Sequence, residues 1–345
     1  MNHVTRRVSI SFVVPTYRRP DALEVTLDAI VAQDYSGGAL EVVVVDDSGD
    51  DATAEVVRRY RDGGVHVRYA SQQNSGAATA RNHGARLASG ELLIFCDDDI
   101  VLESDHAQRQ LATRSQLGDP IVNGTLEFSP AAKEVLRETP FGRFRIDLDR
   151  RFQADADGRH LDATYFEAPL LSACNLAVRR ALFWELGGFG EDFPFAGAED
   201  QAFSLQARAA GCQLVRDHSI RVLHNDQILT FSQFCAREER SAQTFVVLVR
   251  HFPEQASRPL YEENRFISRQ DPLRRVVKKA LKRVLSQRLL LNSLTVAVER
   301  VQRVPTLPEG VLRRMFESVI GLHLFRGVRT ALAGAHGATA SRPKM

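Results

Sequence analysis

The sequence predicts an α/β fold: a mainly parallel sheet with helices on both faces, followed by a helical C-terminal extension. Three observations predict it. Apolar runs of strand length alternate with helix-period stretches through residues 8–99, over short connections. Several of those runs end in polar loops, as strands do at the ligand-binding edge of an open α/β sheet. Beyond residue 230 the strand-like runs stop and helical spacing takes over.

Residues 8–14 (VSISFVV) read as the first strand, stopped by Pro15 because proline cannot donate to a ladder. A helix follows with Asp21 as N-cap and with Leu23, Leu27, Ile30 and Val31 on one face. Residues 41–45 (EVVVV) form a second buried strand that ends in Asp46-Asp47-Ser48-Gly49-Asp50. A helix carrying Ala54, Val57 and Tyr60, then a strand near 65–70, continue the alternation. Asn74-Ser75-Gly76 opens an alanine-rich helix over 77–88 that contains Arg81 and Asn82. Gly90 then leads into a strand that stops at Cys96 in three carboxylates, Asp97, Asp98 and Asp99. The loops after Val14, Val45 and Cys96 should therefore line one crevice.

Three acidic side chains at the end of a buried strand repel one another unless solvated or neutralised by a cation. Alternate residues of a strand point the same way, so Asp97 and Asp99 are expected to converge on one ion. Magnesium or manganese suits such an oxygen-rich site, with a phosphate completing the shell. A solvated acidic turn would use the same residues, and the triplet alone does not decide between the two.

Further along, 104–117 reads as helix and 121–128 as strand. Residues 133–159 are charged and carry Phe141, Phe144 and Phe152; they read either as a lid or acceptor-binding wall or as a plain surface insertion. Residues 172–180 run from strand into helix, with Asn175 in the strand. Glu199 and Asp200 open another helix, where the helix dipole favours ionised carboxylates. That suits a capping residue and equally a general base. Short strands at 213–215 and 220–223 precede His224, which by itself reads as an ordinary structural histidine.

Apolar content of 44% and charge of 26% are ordinary globular values. Charge is uneven: residues 265–329 hold 15 Lys/Arg against 4 Asp/Glu, although the whole chain is only +2. Within this stretch Leu273, Val276, Val277, Ala280, Leu281, Val284 and Leu285 repeat at helical spacing between arginines and lysines. The segment 273–285 thus reads as a basic amphipathic helix, placed either on an anionic membrane surface or against the body with its basic face in solvent. No recognition module or aromatic–basic interleaving points to nucleic acid. Four scattered cysteines, no leader-like run and no membrane-spanning run lead to the expectation of a cytoplasmic protein, peripheral on the membrane at most. The expected division is a catalytic body over 1–230, a basic helical extension over 231–332 and a disordered tail over 333–345.

Five ordered segments carry a family resemblance: VVPTYRRP at 13–20, VVVVDDSGDD at 42–51, NSGAATARNHGARLASGELLIFCDDD at 74–99, NLAVRRALFWELGGF at 175–189 and GAEDQAFSLQARAAG at 197–211. In this order and spacing the chain, over roughly 8–230, resembles the inverting family 2 glycosyltransferases of the GT-A fold. The resemblance implies a nucleotide-binding sheet and a uridine or thymidine diphosphate sugar as donor, with a glycan or lipid-linked hydroxyl as acceptor. It implies that Pro15, Tyr17 and Asp47 hold base and ribose, and that Arg81 lies near the nucleotide. Asp97, Asp98 and Asp99 match the family's DxD element on the ribose and metal–diphosphate. Asp99 is the foremost metal ligand, with Asp97 and His224 beside it and Mn or Mg as the ion. Asp200 matches the catalytic base, with Glu199 and Asn175 as acceptor contacts or supports. The SGDD loop varies from the family's usual glycine–serine turn, which bears on loop shape. Two other readings stand beside this one. A non-catalytic scaffold would have no need of Asp97–Asp99, Asp200 and His224 together. A sugar nucleotidyltransferase would favour a glycine-rich phosphate loop where this chain has PTYRRP.

Overall fold

The computed structural model of the protein describes residues 8–60, 63–155, 157–226, 230–304 and 306–340. Strands β1 (Ile10–Thr16), β2 (Leu40–Asp46), β3 (His66–Ser71) and β4 (Leu92–Cys96) alternate with helices α1 (Pro20–Val31), α2 (Asp51–Arg58) and α3 (Ala77–Leu87). β5 (Ile100–Leu102), α4 (His106–Gln116), β6 (Ile121–Phe128), α5 (Pro130–Arg137) and α6 (Pro140–Asp155) follow. Then come β7 (Arg159–His160), β8 (Tyr165–Glu167), β9 (Asn175–Arg179), α7 (Arg180–Glu185), α8 (Glu199–Ala209) and β10 (Leu214–His224). The strands form one sheet in the order β3-β2-β1-β4-β9-β6-β10-β8-β7, with β5 on β10.

The β3-β2-β1-β4 half is parallel, as the βαβ alternation requires. β9 then runs antiparallel between β4 and β6, and β10 is parallel to β6 but antiparallel to β5 and β8. Side chains alternate across this sheet. Phe12, Val14, Val42 and Val44 pack with Leu23, Leu27 and Val57 of α1 and α2, while Val13, Val43, Val45 and Phe95 pack with Ala80 of α3, Phe183 of α7 and Phe203 of α8.

Three local expectations change. Pro15 lies within β1 rather than ending it, paired in register with Val45. Odd-numbered residues of β1 turn their backbone groups toward β4, and that ladder stops at Val13–Phe95, so the missing N–H of Pro15 leaves no partner wanting. α1 starts at Pro20 with Arg19 as N-cap, and Asp21 falls inside the first turn; proline is favoured at the first helical position because its absent donor would be unpaired there anyway. The two short strands before His224 are one strand, β10, interrupted by an irregularity between Asp217 and Arg221.

The chain forms two compact units. The first holds the sheet, over 1–132, 149–191 and 199–226. The second takes 133–148, 192–198 and 227–345. Its helices are α9 (Phe231–His251), α10 (Pro259–Glu262), α11 (Leu273–Leu285), α12 (Arg288–Val301) and α13 (Glu309–Ala340). Its core gathers Phe141, Phe144, Phe231, Phe234 and Phe316. Phe141 and Phe144 thus bring residues 133–148 into the core of this second unit. The 141, 144, 148 spacing of Phe, Phe and Leu was the signal, hidden among arginines. Residues 333–340, expected in the tail, continue α13, where alanine sustains the helix; 341–345 lie outside the described residues. Among the described residues no helix is long and apolar enough to cross a membrane.

Candidate active site

The acidic triplet follows β4 but lies beyond its end at Cys96, so strand alternation does not reach it. The three carboxylates meet different side-chain cations. Asp97 accepts from Arg81 Nη2 at 2.7 Å. Arg19 spans the other two, donating to Asp98 Oδ1 at 2.8 Å and to Asp99 Oδ2 at 2.6 Å. Thr16 Oγ1 donates to Asp98 Oδ2 at 2.7 Å.

His224 reaches this cluster through the sheet. β10 pairs with β5 so that His224 lies opposite Ile100, and Asn225 N–H donates to the Asp99 carbonyl at 2.8 Å. His224 Nε2 then stands 3.2 Å from Asp99 Oδ2, its ring stacked on Phe128. Burial works against charge on His224, but Asp99 outweighs it and raises its pKa. Burial likewise opposes charge on Asp99, yet His224 and Arg19 hold it down at about 2. Asp98 goes the other way: burial, helped by the charge of Asp99, lifts it to about 7 despite Arg19.

Among the described residues no three His, Cys, Asp or Glu side chains form a ready cage. Asp99 and His224 meet, but Asp97 faces Arg81. Asp99 Oδ1 is buried without a hydrogen-bond partner, an available hard oxygen donor. Few protein donors beside a crevice fit a magnesium- or manganese-like ion that draws its remaining ligands from water and substrate phosphate. A cation binding here shares Asp98 and Asp99 with Arg19. Arg19→Ala is accordingly expected to cost about 2 kcal/mol, below the roughly 3–5 kcal/mol of a fully buried pair because Arg19 keeps contact with solvent. Added manganese should raise the melting temperature of the variant more than that of the wild type, which differential scanning fluorimetry would measure.

The second acidic pair opens α8. Successive helix residues point about 100° apart, so Glu199 and Asp200 have different neighbours. Glu199 is buried and accepts from Arg81 Nη1 at 2.8 Å. Arg81 thereby joins Glu199 to Asp97 through one guanidinium. It is brought so deep by the close fit of α3 on the sheet: a Cβ on Gly84 would stand 2.5 Å from Val13 Cγ1. Burial disfavours the charge on Arg81, but Asp97 and Glu199 more than restore it.

Asp200 is partly exposed. Its Oδ1 accepts from Gln201 N–H at 2.7 Å and its Oδ2 from Ala173 N–H at 3.3 Å. Burial, with the charge of Glu199, raises it to about 7 against the pull of Arg81. A carboxylate oriented by two backbone donors and poised near neutrality is suited to accept a proton.

Tyr17 is 40% exposed at the loop after β1, where Arg18 adopts a left-handed φ of 53° and lies over the Tyr17 ring. Asp47 lies in the loop after β2. It is buried, with Oδ1 accepting from Gln72 Nε2 and Ser75 N–H and Oδ2 from Gly76 N–H, each at 2.8 Å. It orders the turn into α3, whose Gly76 at φ 93° no side chain would favour. Asn175, 1% exposed, pairs with Cys96 across β4–β9 and accepts from Gln110 Nε2 at 3.2 Å, a supporting place beneath the triplet. Arg19 and Thr16 are site residues that sequence reasoning missed. The available signal was a pair of arginines in a loop facing the same crevice as three carboxylates.

Residues 11–187 match the family model described as Glycosyl transferase family 2. Validoxylamine A glucosyltransferase of Streptomyces hygroscopicus subsp. limoneus is 32% identical over 224 residues, covering 59% of this chain and 48% of that protein. Glycosyltransferase AglE of Haloferax volcanii is 29% identical over 216 residues, covering 62% of this chain and 66% of that protein. The chain thus spans about half the length of the Streptomyces relative. Among solved structures, the mannosyltransferase PcManGT from Pyrobaculum calidifontis in complex with GDP-Man and Mn2+ superposes with a TM-score of 0.56 at 19% identity, covering 94% of this chain and 87% of that one. At that identity the likeness is one of fold, and the fold is GT-A.

Proposed function

Because the chain belongs to glycosyl transferase family 2, we propose that it is a metal-dependent inverting glycosyltransferase. It moves a sugar from a uridine or thymidine diphosphate donor to a hydroxyl of a glycan or lipid-linked acceptor. One observation carries this reading: two separate carboxylate sites, Asp98–Asp99 and Asp200, stand at fixed separation because Arg81 clasps a neighbour of each, Asp97 and Glu199. A single displacement needs that arrangement, since base and leaving group occupy opposite faces of the anomeric carbon.

Asp99 and His224 would hold the Mn or Mg ion, which as a Lewis acid offsets charge on the diphosphate. Pro15 at the end of β1 and Tyr17 just beyond it line the base, with the Tyr17 ring open to stack on it. Asp47 keeps the turn into α3 in shape beside it. Asp200 takes the proton of the acceptor hydroxyl as the new bond forms, and the Ala173 and Gln201 N–H groups keep its oxygens aimed. Glu199 stays paired to Arg81 and out of the chemistry.

Calorimetric titration with uridine, thymidine and guanosine diphosphates and their sugars, with and without manganese, tests the reading. Metal-dependent binding of a uridine or thymidine diphosphate is expected, and Asp99→Ala should weaken it at least tenfold. If no nucleotide binds with or without manganese, the transferase reading fails and a non-catalytic scaffold takes its place.

A further inference from the structure

Helix α11 has the amphipathic period expected of it but is docked the opposite way from a soluble helix. Its basic side faces protein. Lys279, 2% exposed, pairs with Asp271 at 2.9 Å, and Arg275 pairs with Glu262 at 2.8 Å. Lys278 pairs with Glu263 at 2.7 Å. Lys282 Nζ donates to Asn264 Oδ1 at 2.7 Å and lies over the Phe325 ring. Arg265 ties Glu262 and Asp271 together, so Arg275 and Lys279 are held in one ion-pair network.

The apolar side is left outside. Leu273, Val277, Leu281 and Val284 are 78%, 59%, 58% and 55% exposed. Their spacing puts them in one stripe along the helix. Leu289, at 84% exposure, adds to it at the start of α12. A helix that buries lysine and exposes valine and leucine has its apolar face reserved for another phase or partner. The surrounding charge selects between them. Arg274, Arg283 and Arg288 are exposed, and none has a carboxylate partner among the described residues. Arg274 also lines an open cleft with Arg275, Lys278 and Glu263. Unpaired arginines bordering an apolar stripe complement a surface that is greasy within and anionic at its rim.

We propose that α11 and the first turn of α12 dock the protein on an anionic lipid bilayer. The stripe of Leu273, Val277, Leu281, Val284 and Leu289 enters the headgroup–acyl boundary, and Arg274, Arg283 and Arg288 meet lipid phosphates. The inference goes beyond the transfer reaction and stands without it, because none of these residues belongs to the site of Asp99 and Asp200.

Co-sedimentation with vesicles tests it, comparing phosphatidylcholine alone with phosphatidylcholine mixed with phosphatidylglycerol. The wild type should bind the mixed vesicles at least tenfold more tightly than the neutral ones, and high salt should remove most of that preference. Val277→Glu/Leu281→Glu should lose binding at least tenfold. Both positions are exposed, so the melting temperature should not move, and that separates loss of docking from loss of fold. Arg274→Glu/Arg283→Glu should abolish the preference for anionic vesicles. Absence of wild-type binding to the mixed vesicles would overturn the proposal, as would full binding by the stripe variant. A dimer in sedimentation velocity that the stripe variant dissolves would also overturn it, assigning the face to a second copy of the chain. All three readouts are independent of sugar transfer, so failure here leaves the transferase reading untouched.

Discussion

Asp200→Asn is expected to lower kcat by about 10²–10⁴-fold, the usual contribution of a positioned general base, with donor affinity within about twofold of wild type. The substitution keeps size, but its single oxygen accepts from only one of the two backbone N–H groups, and it removes the lone pair that takes the proton. Its effect should fall on kcat and kcat/KM together, the pattern of an interaction made in the transition state. The pH profile supplies a second readout. Burial and Glu199 lift the Asp200 carboxyl to about 7, so the group is protonated on the acid side and useless there as a base. Wild-type kcat/KM should therefore fall about tenfold per pH unit below that value, and the variant should lack this limb. Stability has the opposite sign. A carboxyl whose folded pKa is raised favours the fold where it is protonated and loses that stability as pH rises through the folded value. Asparagine removes the penalty at alkaline pH, so the variant should melt no lower than wild type there. A variant that kept full transfer would remove Asp200 from the mechanism.

Arg81→Met is expected to be the most destabilising single substitution in the site. Arg81 is buried between Glu199 and Asp97, and its removal takes away the guanidinium that balances both carboxylates. Breaking a buried pair in this way costs about 3–5 kcal/mol. For a domain of this size that lowers the melting temperature by roughly 10 °C. Asp97 contributes less than Glu199 because its side chain is 32% exposed and water can replace the arginine. The double variant Arg81→Met/Glu199→Gln should regain part of the loss, since the buried charge that Arg81 balances is gone with it; a chemical denaturation series on the four proteins measures the coupling. Additive losses would show that Arg81 acts through packing rather than through Glu199. Arg81→Lys should fall between, because one ammonium cannot reach two carboxylates as a planar guanidinium fork does.

The sequence by itself determined the parallel half of the sheet, because strands buried on both faces are continuous apolar runs and the helices between them carry a single period. β4 is legible in LLIFC for the same reason. The sequence also identified the acidic triplet, the Glu199–Asp200 pair and His224 as the residues worth watching. Only the tertiary structure decided what each one touches. Convergence of Asp97 and Asp99 was inferred from strand alternation, which ends one residue before them at Cys96. The pairing of Arg81 with Glu199 spans 118 positions, and that of Arg19 with Asp99 spans 80, distances over which no local periodicity carries information. In 133–148 the arginines hid the helical spacing of Phe141, Phe144 and Leu148, which serve a core completed by Phe231, Phe234 and Phe316. In α11 the sequence determined the period and the two faces, but not which face turns outward. That choice fell to Glu262, Glu263 and Asp271, whose carboxylates hold the basic side against the protein and leave valine and leucine in the open. Periodicity is a property of neighbouring residues, and the partner of a face is a property of the whole chain.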